Sequence, residues 1–377
     1  MLQGLKALIA KDIKITWRNP SLLVLSIIVP VVFVLLYSLI TQVSATNPVV
    51  IARESTGSYS DRLVRILTEM SSVDGPYFVV RTTEPEEAFR QYTSGEAAAL
   101  IKIPDSFDRN LAEGGAAPEV KLYVHNLNSD ATKNFQIRLS HAAYLFQNEF
   151  APQQSIQITE EYSKFPQDVS MKLYISIGLL MFAVTYAAMV NTGVLVVREW
   201  EERTSKEIVL TPIGFLPFVI GKWVTAFLQT AASVVLVLAV MAITLDFPIT
   251  LMNPVLVLWM VVLFLFGGSV GALLGVWLRK SMPIITLSAV IGIFLYLICG
   301  NESSIRGFAY DGPVELLWKL SSYIPVSYIV ENMRRSFLEA SAAQEFTGLI
   351  AILLLTAGLA VLSVVKLRKN LTYTQGQ

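Results

Sequence analysis

Six long apolar stretches restrict the possible folds of this chain more than any other feature of its sequence. Each has close to 20 residues, about the length that a helix needs to cross the hydrocarbon core of a bilayer. None of their interiors contains Asp, Glu, Lys or Arg. The stretches span approximately residues 21–40, 173–197, 223–245, 254–278, 283–300 and 347–365. The sequence therefore predicts a polytopic α-helical membrane protein with six transmembrane helices.

The composition excludes several classes of function. Hydrophobic residues make up 54% of the chain and charged residues only 15%, against roughly 25% charged residues in soluble domains. Charge-free spans argue against an ion-coupled carrier, since such proteins usually keep an ionisable group at bilayer depth. One cysteine, Cys299, excludes an internal disulfide, and two histidines, His125 and His141, are too few for a histidine-based metal site. No basic segment with interleaved aromatic residues indicates a nucleic-acid partner.

Four clusters of basic residues flank the spans on the same side, and they predict the orientation of the chain. The predicted loop 246–253, on the other side, contains no Lys or Arg. Because basic loops stay in the cytoplasm, we expect a multi-pass protein of the cell (inner or cytoplasmic) membrane with both termini cytoplasmic. The basic residues are Lys6, Lys11, Lys14, Arg18, Arg198, Arg203, Lys206, Lys222, Arg279, Lys280, Lys366, Arg368 and Lys369.

The first span has a competing interpretation as a signal peptide. Val43-Ser44-Ala45 follows it and resembles a signal-peptidase site. However, the apolar stretch is longer than the 7–15 residues of an ordinary signal-peptide core. A retained membrane anchor is therefore favoured.

Residues 43–171, between the first two spans, show a different pattern in which strand-like and helix-like segments alternate. Strands are predicted at 49–52, 77–81, 98–103 and 120–125, and helices at 59–70, 85–94 and 130–149, with a short helix after Pro104. This alternation predicts an extracytoplasmic α/β domain with a small, partly parallel sheet. The domain shows no nucleophile elbow and no glycine-rich phosphate loop, which favours a binding or gating module over an enzyme.

The rest of the chain forms the predicted membrane domain and its ends. Leu5, Ile9, Ile13 and Trp17 recur at four-residue spacing, as in an amphipathic helix on the inner membrane surface, with lysines facing anionic headgroups. The predicted division is a cytoplasmic interface helix at 1–20, a first transmembrane helix at 21–42, the outer domain at 43–171, a five-helix transmembrane domain at 172–366 with short outer helices near 301–345, and a cytoplasmic tail at 367–377.

The cytoplasmic segment 198–213 mixes acidic and basic residues and allows two interpretations. A solvated helix explains the charges, and spacing alone does not decide against it. A loop that only set the orientation of the chain in the membrane would not require so many acidic residues. A short charged helix here could present carboxylates to a basic groove on a soluble partner.

The fourth span carries glycines at four-residue intervals, at Gly267, Gly271 and Gly275. Such a series forms a flat ridge that lets a second helix approach closely. Packing within one chain is favoured over a contact between two copies.

The order of these parts resembles one family, the permease subunits of type-2 ATP-binding-cassette exporters, in the branch with a large domain between the first two spans. The sharpest likeness is Arg198-Glu199-Trp200-Glu201-Glu202-Arg203-Thr204, followed by Thr211-Pro212-Ile213 and Gly221-Lys222. In the outer domain, Ile103-Pro104-Asp105-Ser106-Phe107 and Leu111-Ala112-Glu113-Gly114 also resemble the family. One departure is Arg53-Glu54, where the family often has an acidic strand end.

The resemblance implies a coupling helix within 198–213 that docks on a separate cytoplasmic ATP-binding subunit. The side chains expected to make that contact are Arg198, Glu199, Glu201, Glu202, Arg203 and Thr204. The resemblance also implies a second permease in the complex, as a homodimer or a homologous heterodimer in the bilayer.

The chain lacks a GxxxxGK[ST] phosphate loop, since Gly221-Lys222 has neither the earlier glycine nor the following hydroxyl. ATP and Mg are therefore expected on the partner ATPase, with no catalytic residue, metal or cofactor in this chain.

The leading hypothesis is a permease subunit that exports an amphipathic or apolar substrate, such as a drug, lipid or lipid-linked molecule. The alternatives are a membrane-anchored sensor or scaffold whose outer domain binds a ligand without transport, and an intramembrane enzyme, for which convincing paired acids or a serine–histidine set are missing.

Overall fold

In the computed structural model, the chain divides into two compact units, residues 1–38 with 172–377 and residues 39–171. We call the first the helical unit and the second the sheet unit. The structure describes residues 2–18, 20–45, 47–73, 75–113, 118–124, 130–150, 170–204, 215–299, 312–338 and 348–373. Predicted features at 205–214, 301–311 and 339–347, and any helix resuming after Pro152, lie outside the described residues.

The long helices follow the apolar stretches of the sequence. Six helices in the described residues are long and apolar enough to cross a membrane, which confirms the predicted class of polytopic helical protein. The helices of the helical unit are α1 (Leu2–Arg18), α2 (Ser21–Ala45, continuing into the sheet unit), α7 (Met171–Glu201), α8 (Phe215–Thr244), α9 (Pro254–Leu278), α10 (Ser281–Ile298), α11 (Pro313–Ser322), α12 (Pro325–Leu338) and α13 (Leu349–Tyr373), with a short 3-10 turn at Ile249–Leu251.

Two predicted boundaries were wrong, at the end of the second span and the start of the third. Helix α7 continues past 197 to Glu201, and α8 begins at Phe215 rather than near 223. Lys222, assigned from the sequence to the connecting loop, therefore lies inside α8 and is 2% exposed. The helices continue through these charged residues because ion pairs within the unit neutralise them, as described below.

Helix α7 forms the centre of the helical unit. Every residue from Ile175 to Glu199 is buried. Polar contacts hold neighbouring helices to this core, such as that of Asn191 with Thr230 of α8 at 3.2 Å. On the far side of the bundle, α9 packs against α10, α12 and α13. The N-terminus of α9 is capped by Asn253, whose side chain accepts a hydrogen bond from the Leu256 amide at 2.7 Å.

The sheet unit alternates strands and helices, as the sequence predicts. Its helices are α3 (Ser58–Glu69), α4 (Pro85–Thr93), α5 (Phe107–Glu113) and α6 (Asp130–Phe150), and its strands are β1 (Asn47–Arg53), β2 (Ser71–Ser72), β3 (Gly75–Pro76), β4 (Phe78–Val80), β5 (Ala99–Ile103) and β6 (Lys121–Val124). The main sheet has the order β4-β1-β5-β6, with β1 parallel to β4 and β5, and β6 antiparallel to β5. The predicted partly parallel α/β sheet is therefore confirmed.

The sheet is buried on both faces because its central strands are apolar at successive positions. Val49, Ile51 and Ile101 pack on one face with residues of α3 and α6. Val50 and Leu100 pack on the other face with Ala88 of α4.

Candidate functional site

The predicted partner-contact segment starts at the C-terminal end of α7. The helix ends in a turn in which the Glu202 amide bonds to the Arg198 carbonyl at 2.8 Å and the Arg203 amide bonds to the Trp200 carbonyl at 3.2 Å. Arg203 has a φ of 60°, a left-handed conformation that directs the chain away from the helix axis. Residues 205–213 of the predicted coupling helix lie outside the part of the chain that the structure describes.

Glu199 lies at the centre of a group of buried charges. Lys222 Nζ is 2.5 Å from Glu199 Oε1 and 2.9 Å from Asp12 Oδ1, and all three side chains are less than 5% exposed. Lys11, which is partly exposed, lies 3.5 Å from the other Glu199 oxygen. We call Asp12, Glu199, Lys222 and Lys11 the charged junction. It joins α1, α7 and α8 and contains two positive and two negative groups.

A second set of polar contacts lies beside the charged junction. Thr16 Oγ1 donates a hydrogen bond to the Asp12 carbonyl at 2.8 Å. The same oxygen accepts hydrogen bonds from Arg198 Nη1 at 3.2 Å and from Gln229 Nε2 at 2.9 Å. Arg198 also lies 3.8 Å from Glu202. Thr16 therefore connects α1 to both α7 and α8, one helical turn after Asp12.

Glu201 is directed to a different neighbour. Its carboxylate accepts hydrogen bonds from the Ser281 amide at 2.7 Å and from the Ser281 hydroxyl at 2.6 Å. Ser281 is the first residue of α10, and Lys280 before it provides no side-chain cap. Glu201 thus satisfies the N-terminus of α10, where the helix dipole favours a negative charge.

The six predicted contact residues differ in their exposure. Arg198 and Glu199 are buried, and Thr204 donates a hydrogen bond to Glu199. Glu201, Glu202 and Arg203 are exposed, although the Glu201 carboxylate is also bound to Ser281. Contact with a partner subunit stays a prediction for all six, and the three exposed residues are the part that a docking surface can reach directly.

Sequence reasoning missed Asp12, Thr16 and Lys222. Lys222 reads as one of several basic flanks, although it is buried. One signal was available, because Asp12 is the only acidic residue among the first 53 of the chain. An isolated acid within a basic helix indicates a specific cationic partner.

The glycine series of α9 faces α7 of the same chain. A Cβ at Gly271 would lie 2.2 Å from the Met189 carbonyl oxygen, and one at Gly267 would lie 2.9 Å from the Thr185 oxygen. A Cβ at Gly275 would lie 2.8 Å from the oxygen of Gly193, itself a glycine of α7. Only glycine permits this approach of the two backbones.

The sheet unit contains a partly buried carboxylate of another kind, Asp108. Asp108, in α5, accepts hydrogen bonds at the start of α3 from the amides of Gly57, Tyr59 and Ser60 at 3.2, 2.8 and 3.1 Å, and from the Ser55 hydroxyl at 2.5 Å. Burial tends to raise the pKa of Asp108, but these hydrogen bonds outweigh it and hold the pKa below its ordinary value. Asp108 acts as the N-cap that Gly57 lacks.

The sheet unit also has a largely apolar cavity, between α3, α5, α6 and the start of β6. Its volume is about 580 Å³, within the range of small-molecule sites. The lining residues are Leu63, Phe107, Leu111, Pro118, Val120, Leu139, Ser140, Ala143, Phe146, Gln147 and Phe150. Within the described ranges, no group of three or more His, Cys, Asp or Glu side chains could hold a metal ion.

Comparison with known proteins defines the class. The family described as ABC-2 family transporter protein matches residues 20–365, and the chain belongs to this family. The chain is also similar to the probable multidrug ABC transporter permease YbhR of Escherichia coli strain K12, with 24% identity over 371 residues that cover 95% of this chain and 96% of the relative. The protein of the same name from Escherichia coli O157:H7 matches with the same identity and coverage. The resemblance stated from the sequence is therefore confirmed, and the chain is a membrane-spanning permease subunit.

Proposed function

We propose that the chain is the permease of an ATP-driven exporter and that a separate cytoplasmic ATP-binding subunit docks on the segment that begins at Arg198. The observation that carries this proposal is the contrast at the end of α7. Glu201, Glu202 and Arg203 are exposed, while Arg198, Glu199 and Glu201 make contacts to α1, α8 and α10. A docking surface must be fixed to the helices that it moves, and this one is fixed to three of them.

The proposal assigns ATP binding to the partner subunit, because this chain lacks a phosphate loop. Without a GxxxxGK[ST] sequence the chain has no means of this type to hold a nucleotide. The partner subunit would therefore bind ATP and Mg. A second permease, as a homodimer or a homologous heterodimer, would complete the transporter.

The substrate class is inferred from the spans. Their charged residues lie near the helix ends, and the interiors are apolar. An amphipathic or apolar molecule, such as a drug, a lipid or a lipid-linked molecule, suits such a path better than a charged solute does. The multidrug description of the two relatives supports the drug alternative.

The exposed face of α1 supports its placement on the inner membrane surface. Asp12 and Thr16 face the bundle, whereas Ile13 and Trp17 are 43% and 87% exposed. An outward tryptophan next to basic side chains is typical of a helix at the headgroup level. Together with the basic flanks, this supports an inner-membrane location with cytoplasmic termini.

The test is co-purification of the chain with a co-expressed ATP-binding subunit, followed by ATP-driven export from cells. Glu202→Arg with Arg203→Glu should abolish the complex without unfolding the chain, because both side chains are exposed. Glu69→Arg, an exposed reversal in α3, is the control and should leave complex formation unchanged. A wild-type chain that binds no ATP-binding subunit, or a double reversal that exports normally, would contradict the proposal.

A second candidate function is a membrane-anchored sensor whose sheet unit binds a ligand without transport. The cavity of about 580 Å³ favours it. The two candidates differ in one measurement. Export requires ATP hydrolysis by a bound partner, whereas a sensor would bind an apolar ligand equally well with the partner absent and would move nothing across a vesicle wall.

A further inference from the structure

The charged junction connects three helices through three buried side chains, Asp12, Glu199 and Lys222. Lys222 lies between two carboxylates, one on α1 and one on α7, and its own backbone belongs to α8. Separating α8 from α1 would leave the buried Asp12 carboxylate without its cation, and separating α8 from α7 would leave Glu199 without its nearest one, which is far more costly than losing an exposed pair. The junction therefore resists relative movement of α1, the end of α7 and the start of α8.

Close packing reinforces the same connection. A Cβ at Gly221 would lie 3.4 Å from the Leu8 Cβ, so α1 and α8 are in contact one residue from Lys222. A small apolar cluster beneath the charges includes Val196 of α7 and Phe218 of α8, with Leu8 packed against it. Charge pairing and apolar packing thus act on the same three helix ends.

The contact segment is attached to this assembly through Glu199. Thr204, the last described residue before 205–214, donates a hydrogen bond from its hydroxyl group to the Glu199 carboxylate that also binds Lys222. Arg198 donates a hydrogen bond to Thr16 of α1, and Glu202 lies 3.8 Å from Arg198. A displacement of residues 198–204 must therefore move the carboxylate on which α1 and α8 are held.

We propose that Lys222 is a positioning residue that makes α1, the end of α7 and the start of α8 move as one rigid body when the partner subunit acts on residues 198–204. The inference rests on the proposed docking of that partner. It adds that the movement reaches α1 and α8 directly, so that α1 takes part in transport as a rigid extension of the contact segment. In this role Lys222 acts through its contacts with Glu199 and Asp12.

The first experiment measures the attachment of α1 without any partner subunit. The single native cysteine is replaced (Cys299→Ser), and Leu8→Cys and Gly221→Cys are introduced. The two positions suit a disulfide, since bridged Cβ atoms are about 3.5–4.5 Å apart. The cysteines should cross-link rapidly and almost completely in membranes. Adding Lys222→Met with Asp12→Asn should slow the cross-linking about tenfold or more. Equal rates in both backgrounds would overturn the proposal.

The double neutralisation guards against simple misfolding. In that variant Glu199 keeps Lys11 at 3.5 Å and the hydroxyl of Thr204, so no carboxylate loses every partner. Lys222→Arg keeps the charge and should restore the cross-linking of the wild type within about threefold. A Lys222→Arg variant that behaves like Lys222→Met would mean that side-chain shape and not charge holds the helices, and would contradict the ionic role.

The second experiment uses the complex with the ATP-binding subunit. If the three helix ends move together, the oxidised Leu8→Cys/Gly221→Cys chain should export at the same rate as its reduced form. The Lys222→Met/Asp12→Asn chain should bind the partner and hydrolyse ATP, yet export about tenfold less substrate per ATP. Export blocked by the disulfide and restored by reductant would show that α1 slides on α8, against the proposal. Absence of a wild-type complex would instead refute the proposed function, while the cross-linking rates would still test the junction.

Discussion

Helix α7 is joined to its neighbours in two ways, by buried charges at its end and by glycine contacts along its middle. At the charged junction, Lys222 of α8 pairs with one carboxylate of α1 and one of α7, and Lys11 supplies the second positive charge. Along the glycine ridge, the backbones of α7 and α9 meet with no side chain between them at Gly271. Lipid tails are as apolar as leucine, so helices in a bilayer gain little from burying apolar faces against each other. The charged junction and the glycine ridge hold helices together in two other ways, by electrostatic pairing and by close packing.

The difference is in how each joint fails. The junction depends on paired charges and is disrupted when one of them is removed. The ridge depends on the absence of a side chain at glycine and is disrupted when one carbon atom is added. The first kind of substitution creates no steric clash, whereas the second forces the helices apart.

The largest expected effect is at the junction. Lys222→Met should lower the free energy of unfolding by about 3–5 kcal/mol, because it leaves the buried Asp12 carboxylate without its cation. The measurement is thermal or denaturant unfolding of the purified chain. Lys319→Met, which removes an exposed lysine of an ion pair with Glu315, is the matched control and should cost at most about 0.5 kcal/mol. Similar losses in both variants would remove the distinction between buried and exposed charge here.

The next effect is at the ridge. Gly271→Ala places a methyl group 2.2 Å from the Met189 oxygen and should cost about 1–3 kcal/mol through a forced shift of α9. Gly358→Ala in α13 is the control, because nothing lies within 4 Å of its added Cβ. That change should be neutral or slightly stabilising, since alanine favours a helix more than glycine does. If Gly271→Ala unfolds like the wild type, close packing does not fix the distance between α7 and α9.

A smaller effect in the sheet unit tests whether a partly buried carboxylate can be stabilised by hydrogen bonds alone, without a cation. Asp108 is held by backbone amides and a hydroxyl, and Asp108→Asn should cost about 1 kcal/mol through the weakened cap of α3. Hydrogen exchange at the Tyr59 and Ser60 amides is the measurement. Asp105→Asn, at an exposed position, should leave their protection unchanged. Unchanged protection in Asp108→Asn would mean that the cap contributes nothing.

The smallest effect is a response of this cap to acid. The pKa of Asp108 is lowered in the folded chain, so its stabilising contribution is complete above the ordinary aspartate pKa of about 4. The contribution is lost as the pH falls through the lowered folded value. Protection of the first turn of α3, corrected for intrinsic exchange rates, should therefore be constant near neutral pH and decline only below about pH 4. The Asp108→Asn chain should not show this decline, and a decline in both chains would assign it to another group.

The sequence predicted the parts of this molecule that depend on local composition. The length of the apolar stretches identified the six spans, and the alternating patterns identified the strands and helices of the sheet unit to within a few residues. Each of these predictions uses only residues that are close together in the sequence. The repeating glycines likewise indicated a close helix contact, although spacing alone could not name the helix that they meet.

The charged junction could not be predicted in the same way. Lys222 lies 23 residues from Glu199 and 210 residues from Asp12, so its partners are far apart in the chain. A basic residue near the end of a span is ordinarily explained by orientation, and nothing in the local pattern separates a buried lysine from an exposed one. The capping of α3 by Asp108 was not predicted for the same reason. Asp108 lies at least 48 residues further along the chain than the amides that it binds.

The inward polar face of α1 has a consequence for biosynthesis. Asp12 leaves the ribosome about two hundred residues ahead of the lysine that neutralises it. Until α8 has been made, Asp12 has no Lys222 to pair with and its carboxylate stays in contact with water. Completion of α8 then allows the first helix to dock late in synthesis. A nascent chain halted before that point would display an undocked N-terminus, which membrane proteases could recognise as a mark of an unfinished product.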